Sequence, residues 1–570
     1  MKEKILITSA LPYINNVPHI GHIIGSHLPA DIFARFNRTF GNEVVFVGGA
    51  DEHGTPAVVL SKQTGVPVKK IVDTLKEEHK KVYKKLNISY DNFSGTSIPL
   101  HTEITQDFFD KMNKNGFVHT ETVEQYYCEH CEMFLPDRFL RGTCPKCGFD
   151  DCDADQCEKC YSVINAYELV EPHCYNCGNK PIIKQSTHLF FDMPKTTKGI
   201  DEYLESKKDV FKPYVSSEAK RWIAEGLKNR CITRDMEWGV PVNYEGMDDK
   251  VFYVWFEALL GYVSFTKQYD ENFYEEVWKK KNGKIYHFMG KDNIPFHAVF
   301  FPSMLVANGE HNFPYNVVGY NFLNYEGKKF SKSKRIGVFC TPLLTSDLEV
   351  DALRGYLVNI LPETKDSDWK WDEFKNFVNS ELVGKFGNFF NRTINLLNKN
   401  FPILDIDIDS IKSDIGLDDM DKDILSKLES ESKKITGLYQ DLRLRDAFRS
   451  VMLFSIDANT YLEHKAPWKL VKDEATIDEA KKVLYICLNI ARTLAILASP
   501  VIPEKAQAIW GQLNFKGRVD APNNWDLVGK VDVEINHKVN EPKPLFRRID
   551  DDYLEELKAH FSEPYELKFD

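Results

Sequence analysis

The chain has 570 residues, 43% of them hydrophobic and 28% charged, an ordinary globular composition with room for several domains at roughly 150 residues each. Aromatics at 13% exclude disorder as the main state, and no apolar run reaches the roughly 18 residues of a spanning helix. Lys plus Arg total 73 against 85 Asp plus Glu, and the formal charge of −12 excludes a uniformly basic nucleic-acid surface while leaving room for a local basic track.

Lys4 to Ser9 reads as a short buried strand and carries no signal-peptide pattern. His19 to Phe36 has helical spacing, and Glu43 to Val47 is a second strand followed by Gly48 and Gly49. Strand, helix, strand at these lengths predicts a parallel βαβ unit. The Cys-rich stretch from about residue 116 to 230 reads as an insertion into that sheet. Val251 to Phe256 and Lys284 to Met289 read as strands of the sheet's second half, with a helix from Phe296 to Ala307. From about residue 375 the pattern is helical, with Leu382, Phe386, Phe389 and Phe390 on one face. Asp405 to Asp423 reads as an exposed acidic connection, Trp525 to Pro544 as irregular, and Asp550 to Asp570 as a tail with one short helix.

Two segments suit phosphate chemistry. Pro18-His19-Ile20-Gly21-His22 stands between the first strand and its helix, where backbone N–H groups and the helix dipole favour an anion. His19 and His22, three apart, can address one ligand, and Gly21 leaves the backbone open to a flat base. The octet Lys328 to Arg335 has five basic residues, suited to a departing pyrophosphate. Taken singly, the first segment also describes two histidines capping a helix, and the second a solvated loop.

Nine of the twelve cysteines lie between Cys128 and Cys177. Eight form the Cys-x-x-Cys pairs Cys128/Cys131, Cys144/Cys147, Cys157/Cys160 and Cys174/Cys177, ligands for two closed, structural zinc sites. Cys152 fits no pair. With no spanning run and no signal-peptide pattern the chain is expected in the cytoplasm, where paired cysteines at short spacing read as metal ligands before disulfides.

Together these features resemble the class I aminoacyl-tRNA synthetases, most closely their methionine-specific branch. The HIGH tetrapeptide stands at His19 to His22, and Lys329 to Ser333, KFSKS, matches KMSKS with Phe for Met at an apolar anchor. Ala10-Leu11-Pro12-Tyr13, Asp51-Glu52-His53-Gly54, the Trp255 segment and Gly290-Lys291-Asp292 add the methionine-type signature, so the match spans residues 5 to about 470. One departure is that Glu257 and Leu259 stand where Trp-x-Asp-Ala-Pro-x-x-Tyr has its acid and proline, which predicts a differently shaped pocket wall.

The resemblance implies an α/β protein, a Rossmann-type parallel-sheet catalytic domain with a zinc-knuckle insertion and an α-helical anticodon-binding domain. The expected bounds are 1–115 and 231–325 for the catalytic halves, 116–230 for the insertion, and 326–380 for the KFSKS loop and stem-contact region. The helical domain is expected at 381–545 and the tail at 546–570. Methionine and ATP, with Mg2+, are expected to give methionyl-adenylate, and the methionyl group then to pass to the terminal ribose of tRNA(Met). His19, Gly21, His22, Asp292, Lys329 and Lys332 are the expected ATP ligands, and His19, His22, Lys329 and Lys332 stabilise the reacting phosphates. Asp51 would take the α-ammonium, with Leu11, Tyr13, Trp255, Tyr262 and His297 lining the methionine pocket. The inner cysteine pairs, Cys144/Cys147 with Cys157/Cys160, would share one zinc, and Cys128/Cys131 with Cys174/Cys177 the other. Asn388, Arg392 and Trp468 would read the anticodon. The extra C-terminal tRNA-binding module of some family members is not found, which predicts a monomer. Competing readings are a synthetase for leucine, isoleucine, valine or cysteine, a small nucleotidylyltransferase with a HIGH-like motif, and a zinc-ribbon RNA-binding module.

Overall fold

The computed structural model describes residues 2–569 except 15, 137–138, 155–156, 158, 161, 163, 165, 331–336, 407–410, 412–415 and 564–568. Five parallel strands form the central sheet in the order Asn316–Tyr320, Lys284–Gly290, Lys4–Ser9, Glu43–Ala50, Asn92–Gly95. Near-continuous apolar strands are what a sheet covered on both faces requires. Ile5 and Ile7 accordingly enter one core, and Leu6, pointing the other way, enters a second. The chain leaves Lys4–Ser9 towards one neighbour and later adds the other neighbour on the opposite side. That reversal opens a crevice at the carboxyl ends of the strands, the position where α/β sheets bind ligands.

The second strand runs on through Gly48 and Gly49 to Ala50 instead of ending at Val47. A side chain at either glycine would collide with the rings of Tyr90 or Phe265, so the sheet needs glycine there for close packing. The expectation for Val251 to Phe256 is corrected. Only Val251–Phe252 is extended, pairing antiparallel with Thr233–Arg234 outside the central sheet, and the chain then turns into the helix Val254–Glu257. Six consecutive apolar residues suit a buried strand or a buried helix alike, so periodicity gave no means of choosing.

Between the halves, Val118–Cys128 and Ile182–Phe191 form an antiparallel ribbon from Val118↔Phe191 to Tyr127↔Ile182, with the cysteine clusters at its far end. The C-terminal part is helical, and Leu382, Phe386, Phe389 and Phe390 are at most 1% exposed. Three expected boundaries fall inside structural units, the one after residue 230 dividing the strand Arg230–Cys231. The small sheet Leu323–Tyr325, Lys328–Lys329 and Ser367–Trp369 straddles residue 325, and residue 380 lies within the wide-turn helix Val378–Gly387.

Arg354, fully buried, fastens the helical C-terminal part to the first half of the catalytic sheet. Its guanidinium meets Asp31 at 2.7 Å, the Leu86 carbonyl at 2.9 Å and the Val501 carbonyl at 2.8 Å. The expected tail helix is Asp551–Ser562. It docks on the stretch from Pro342 to Lys375, with Tyr553 donating to Asp347 at 2.8 Å and Phe561 set 5.7 Å from Trp371. In the expected acidic connection Ile411 and Leu417 are buried, so its described part is anchored rather than fully exposed. No helix among the described residues is long and apolar enough to cross a membrane.

Candidate active site

His19 caps the one-turn helix Ile20–His22 with an extended backbone at φ −115° and ψ 165°. Its Nδ1 accepts from the Gly21 N–H at 3.1 Å, and its own N–H donates to His22 Nδ1 at 3.1 Å. Both Nδ1 atoms are acceptors, so each neutral ring holds its proton on Nε2 and offers an N–H donor. The rings stack at 3.7 Å. Gly21 serves them directly, because a Cβ there would come 2.8 Å from the His19 ring; imidazole takes the space expected for a base.

The second phosphate segment meets this turn. Phe330 stacks on His19 at 4.7 Å, and a Cβ on Gly337, which has φ +140°, would collide with the Phe330 ring. Beyond it, the Ile20 N–H donates to Val338 at 3.0 Å and the Cys340 N–H to Pro18 at 2.9 Å. Lys329 is exposed on the edge strand Lys328–Lys329. Lys332 lies outside the described residues. Both ends of its segment touch the His19 turn.

Asp51 follows the second strand and is paired through its backbone with the Tyr13 segment, the Asp51 N–H donating to Pro12 at 3.0 Å and the Ile14 N–H to Asp51 at 3.0 Å. Asp51 is 6% exposed, and its Oδ1 has no hydrogen-bond partner among the described residues. Burial first, and the nearby Glu257 carboxylate second, push Asp51 well above the usual carboxylate range. Glu257 is fully buried, which alone would raise it, yet the His53 and His101 imidazoles hold it below its ordinary value. They lie 3.0 Å and 2.6 Å from its two oxygens, and His101 Nδ1 reaches Ser264 at 3.0 Å. The departure at Glu257 therefore keeps a buried carboxylate in the wall, while Leu259 is buried in the adjoining core.

Around Asp51, Trp255 stacks on Phe296 at 4.0 Å and meets the Tyr13 edge at 6.0 Å. His297 Nδ1 lies 2.9 Å from the Asn293 carbonyl, which fixes its proton there, so Tyr262 donates to Nε2 at 2.8 Å. Burial lowers His297 to about 4, leaving it neutral. The Leu11 backbone also hydrogen-bonds the Tyr262 phenol. Asp292 is exposed just past the strand Lys284–Gly290. The structure thus gathers Leu11, Tyr13, Asp51, Trp255, Tyr262 and His297 at one end of the sheet, with His19, Gly21 and His22 on the turn that follows Tyr13 and Phe330 stacked on that turn. Sequence reasoning missed His53, His101 and Phe296. His53 sits in the quoted Asp51 tetrapeptide, a signal left unused; nothing in spacing linked His101 to Glu257.

The cysteines form the two expected groups, Cys128, Cys131, Cys174 and Cys177, and Cys144, Cys147, Cys157 and Cys160. Sulfur–sulfur separations of 3.5 and 3.8 Å in the first and 3.8 and 3.6 Å in the second fit the ~3.8 Å edge of a tetrahedron with 2.3 Å zinc–sulfur bonds. Disulfides, at about 2.05 Å, are excluded for these pairs. Gly148 and Gly178, at φ +70° and +72°, provide the left-handed turn after Cys147 and Cys177. Cys152 is buried and donates to the Asp153 carbonyl at 3.3 Å, outside both groups.

At the other end, the Arg392 guanidinium lies 4.8 Å from the Trp468 ring and 2.6 Å from Glu463. Asn388 reaches Asn459 at 3.4 Å, in a cleft of about 250 Å³ shared with Arg392 and Glu463. Lys465, held by Asp418, Asp421 and Glu479 at 2.7–2.9 Å, and Ala466 at φ +43° set the turn that presents Trp468.

The family described as tRNA synthetases class I (M) matches residues 5–394, and the anticodon binding domain of methionyl tRNA ligase matches residues 414–566. The chain is 39% identical over 559 residues to a methionine–tRNA ligase of Ignicoccus hospitalis, covering 97% of each. It is 38% identical over 570 residues to the cytoplasmic methionine–tRNA ligase of Bos taurus, covering 98% of this chain and 62% of that one. A solved structure of Mycobacterium tuberculosis methionyl-tRNA synthetase in complex with methionyl-adenylate shares the fold, with TM-score 0.78 over 96% of this chain and 100% of that one at 24% identity.

Proposed function

The chain belongs to the class I tRNA synthetases of the methionine type, and from that premise we propose how its residues divide the work of a methionine–tRNA ligase. The reaction joins methionine and ATP into methionyl-adenylate with release of pyrophosphate, then moves the methionyl group to the 3′-terminal ribose of tRNA(Met).

Asp51 receives the α-ammonium and thereby aims the methionine carboxylate at the α-phosphorus. The observation that carries this role is its buried Oδ1, which has no partner among the described residues, a carboxylate oxygen short of a cation. Trp255, Tyr262, His297, Leu11 and Tyr13 enclose the thioether, each aromatic contact adding about 0.3–1.5 kcal/mol. His19 and His22 donate their Nε2–H groups to the phosphates, and Lys329 and Lys332 hold the pyrophosphate as it leaves. Gly21 and Asp292 complete the ATP site. Mg2+ bound with ATP offsets phosphate charge. No covalent enzyme intermediate is needed, since orientation and fixed charge supply the acceleration.

Residues 1–115 and 231–325 form the catalytic domain, 116–230 the insertion, 326–380 the stem-contact region, 381–545 the anticodon domain and 546–570 the tail. The protein acts in the cytoplasm as a single copy, in keeping with cysteines that need a reducing compartment.

Each four-thiolate cluster holds one structural zinc. Metal analysis of the purified protein is expected to return two zinc ions per chain, and a value near one would mean that one cluster stays empty.

Asn388, Arg392 and Trp468 read the anticodon, Trp468 by stacking on a base, a contact worth about 1–3 kcal/mol. Trp468→Ala is therefore expected to keep methionine-dependent ATP–pyrophosphate exchange at the unaltered rate. Its kcat/KM for tRNA aminoacylation should fall by about 10–100-fold. Equal loss in both assays contradicts the anticodon role, and exchange driven by leucine or cysteine but not methionine contradicts the substrate.

A further inference from the structure

The helix Val68–Lys85 packs against the loops that carry Tyr13 and Asp51, its Ile71, Val72 and Leu75 sharing a buried cluster with Ile14 and Ala50. Two polar side chains one turn apart on this helix, Lys76 and His79, reach the same two loops. The Lys76 ammonium lies 2.6 Å from Glu52, which is fully buried and also accepts from the Ser97 N–H at 2.9 Å. His79, 1% exposed, sets its Nε2 2.8 Å from the Asn16 carbonyl. A carbonyl can only accept, so that nitrogen carries the hydrogen and donates it. Nδ1 faces the Tyr83 hydroxyl at 3.4 Å. Asn16 Oδ1 accepts from the adjoining Val17 N–H at 2.8 Å, and among the described residues no other hydrogen bond ties Asn16 or Val17 to a different element.

Tyr13 and Asp51 are joined through their backbones, and the histidine turn follows Pro18, so the chain between them spans the amino-acid end and the phosphate end of the site. Lys76 secures the first end through Glu52, and His79 secures the span. Apolar contact with Ile14 has no direction, whereas a buried hydrogen bond fixes where the Asn16 peptide points. We propose that His79 is a positioning residue for adenylate formation, holding the His19 turn at the distance from Asp51 that brings the α-phosphorus into line with the methionine carboxylate. The inference rests on the assignment of Asp51 to the α-ammonium and of His19 and His22 to the phosphates. In-line attack depends steeply on geometry, and a misplacement of about 1 Å can cost about 10²-fold. Once the adenylate has formed, a covalent bond joins its two halves, and the transfer step no longer needs that placement.

The test separates the two steps. His79→Leu is expected to lower kcat for methionine-dependent ATP–pyrophosphate exchange by about tenfold, with KM for methionine and for ATP within about twofold, since each loop still holds its own substrate. His79→Gln, whose amide N–H spans the same distance to Asn16, should recover the rate to within about threefold, and His79→Asn, one methylene shorter than that amide, should not. Single-turnover transfer from isolated enzyme-bound methionyl-adenylate to tRNA(Met) should stay within about twofold in all three variants. Transfer that falls along with exchange, an unchanged exchange rate, a loss confined to KM, or equal rates in His79→Gln and His79→Asn overturns the proposal. If His79→Leu fails to fold, His79→Gln and His79→Asn decide. Absence of methionine-dependent exchange in the unaltered protein would instead overturn the site assignment beneath it.

Discussion

Asp51→Asn is expected to raise KM for methionine in ATP–pyrophosphate exchange by about 10²–10³-fold, the effect of breaking a buried ion pair from one side. The same substitution should raise the melting temperature of the unliganded protein. Both effects follow from one fact: the Asp51 carboxyl is buried near the Glu257 carboxylate, with one oxygen unpartnered among the described residues. Its folded value lies above the 3.8 of an unfolded aspartate, so above pH 3.8 the folded protein binds more protons at this site than the unfolded chain. By linkage, stability from this group is present below that pH and is lost as pH rises through the raised folded value. At neutral pH the empty site is therefore strained by charge, and an incoming ammonium relieves it. Asparagine removes the strain and the reason to bind. Methionine affinity of the unaltered enzyme should accordingly improve as pH rises through the Asp51 value, measured by isothermal titration. A pH-independent affinity, or a melting temperature lowered by Asp51→Asn, contradicts the account.

Lys332→Ala is expected to lower kcat for exchange by about 10²–10³-fold, the usual loss on removing one preorganised donor from a developing anion. KM for methionine and the melting temperature should not move, because the lysine's partner is charge that develops on pyrophosphate as it departs. Lys332 follows Phe330 by two residues, and the phenyl ring lies on His19 at 4.7 Å. The return limb is hydrogen-bonded to Pro18 and Ile20. Phe330→Met should stay within about threefold of the unaltered rate, since a flexible apolar side chain can cover the same imidazole. Loss of methionine binding together with kcat in Lys332→Ala would indicate a damaged fold in place of a lost phosphate contact.

Several site features were legible in the chain because their geometry is local. Two imidazoles three residues apart on a helical turn must share a side, and two Cys-x-x-Cys pairs must each offer a chelate. The central strands announced themselves through unbroken apolar runs, as strands covered on both faces do. Val251 to Phe256 failed for the same reason that Lys4 to Ser9 succeeded, since an apolar run states burial without stating conformation. Which helix a buried Tyr262 would face, or that Phe330 would cover His19 from more than 300 residues away, had no local signature.

The sequence by itself determined the donor inventory: thiol pairs, the histidine turn, the basic octet and the carboxylate at the end of the second strand. Each is a property of residue type and of spacing along a few residues. Tertiary structure alone decided the protonation of the site. Asp51 is raised because Glu257, 206 positions further along, is folded beside it, and Glu257 stays ionised because His53 and His101 close on it from two other elements. Electrostatic interaction depends on distance through space and on exclusion of water, and neither quantity is written in the order of residues along a chain.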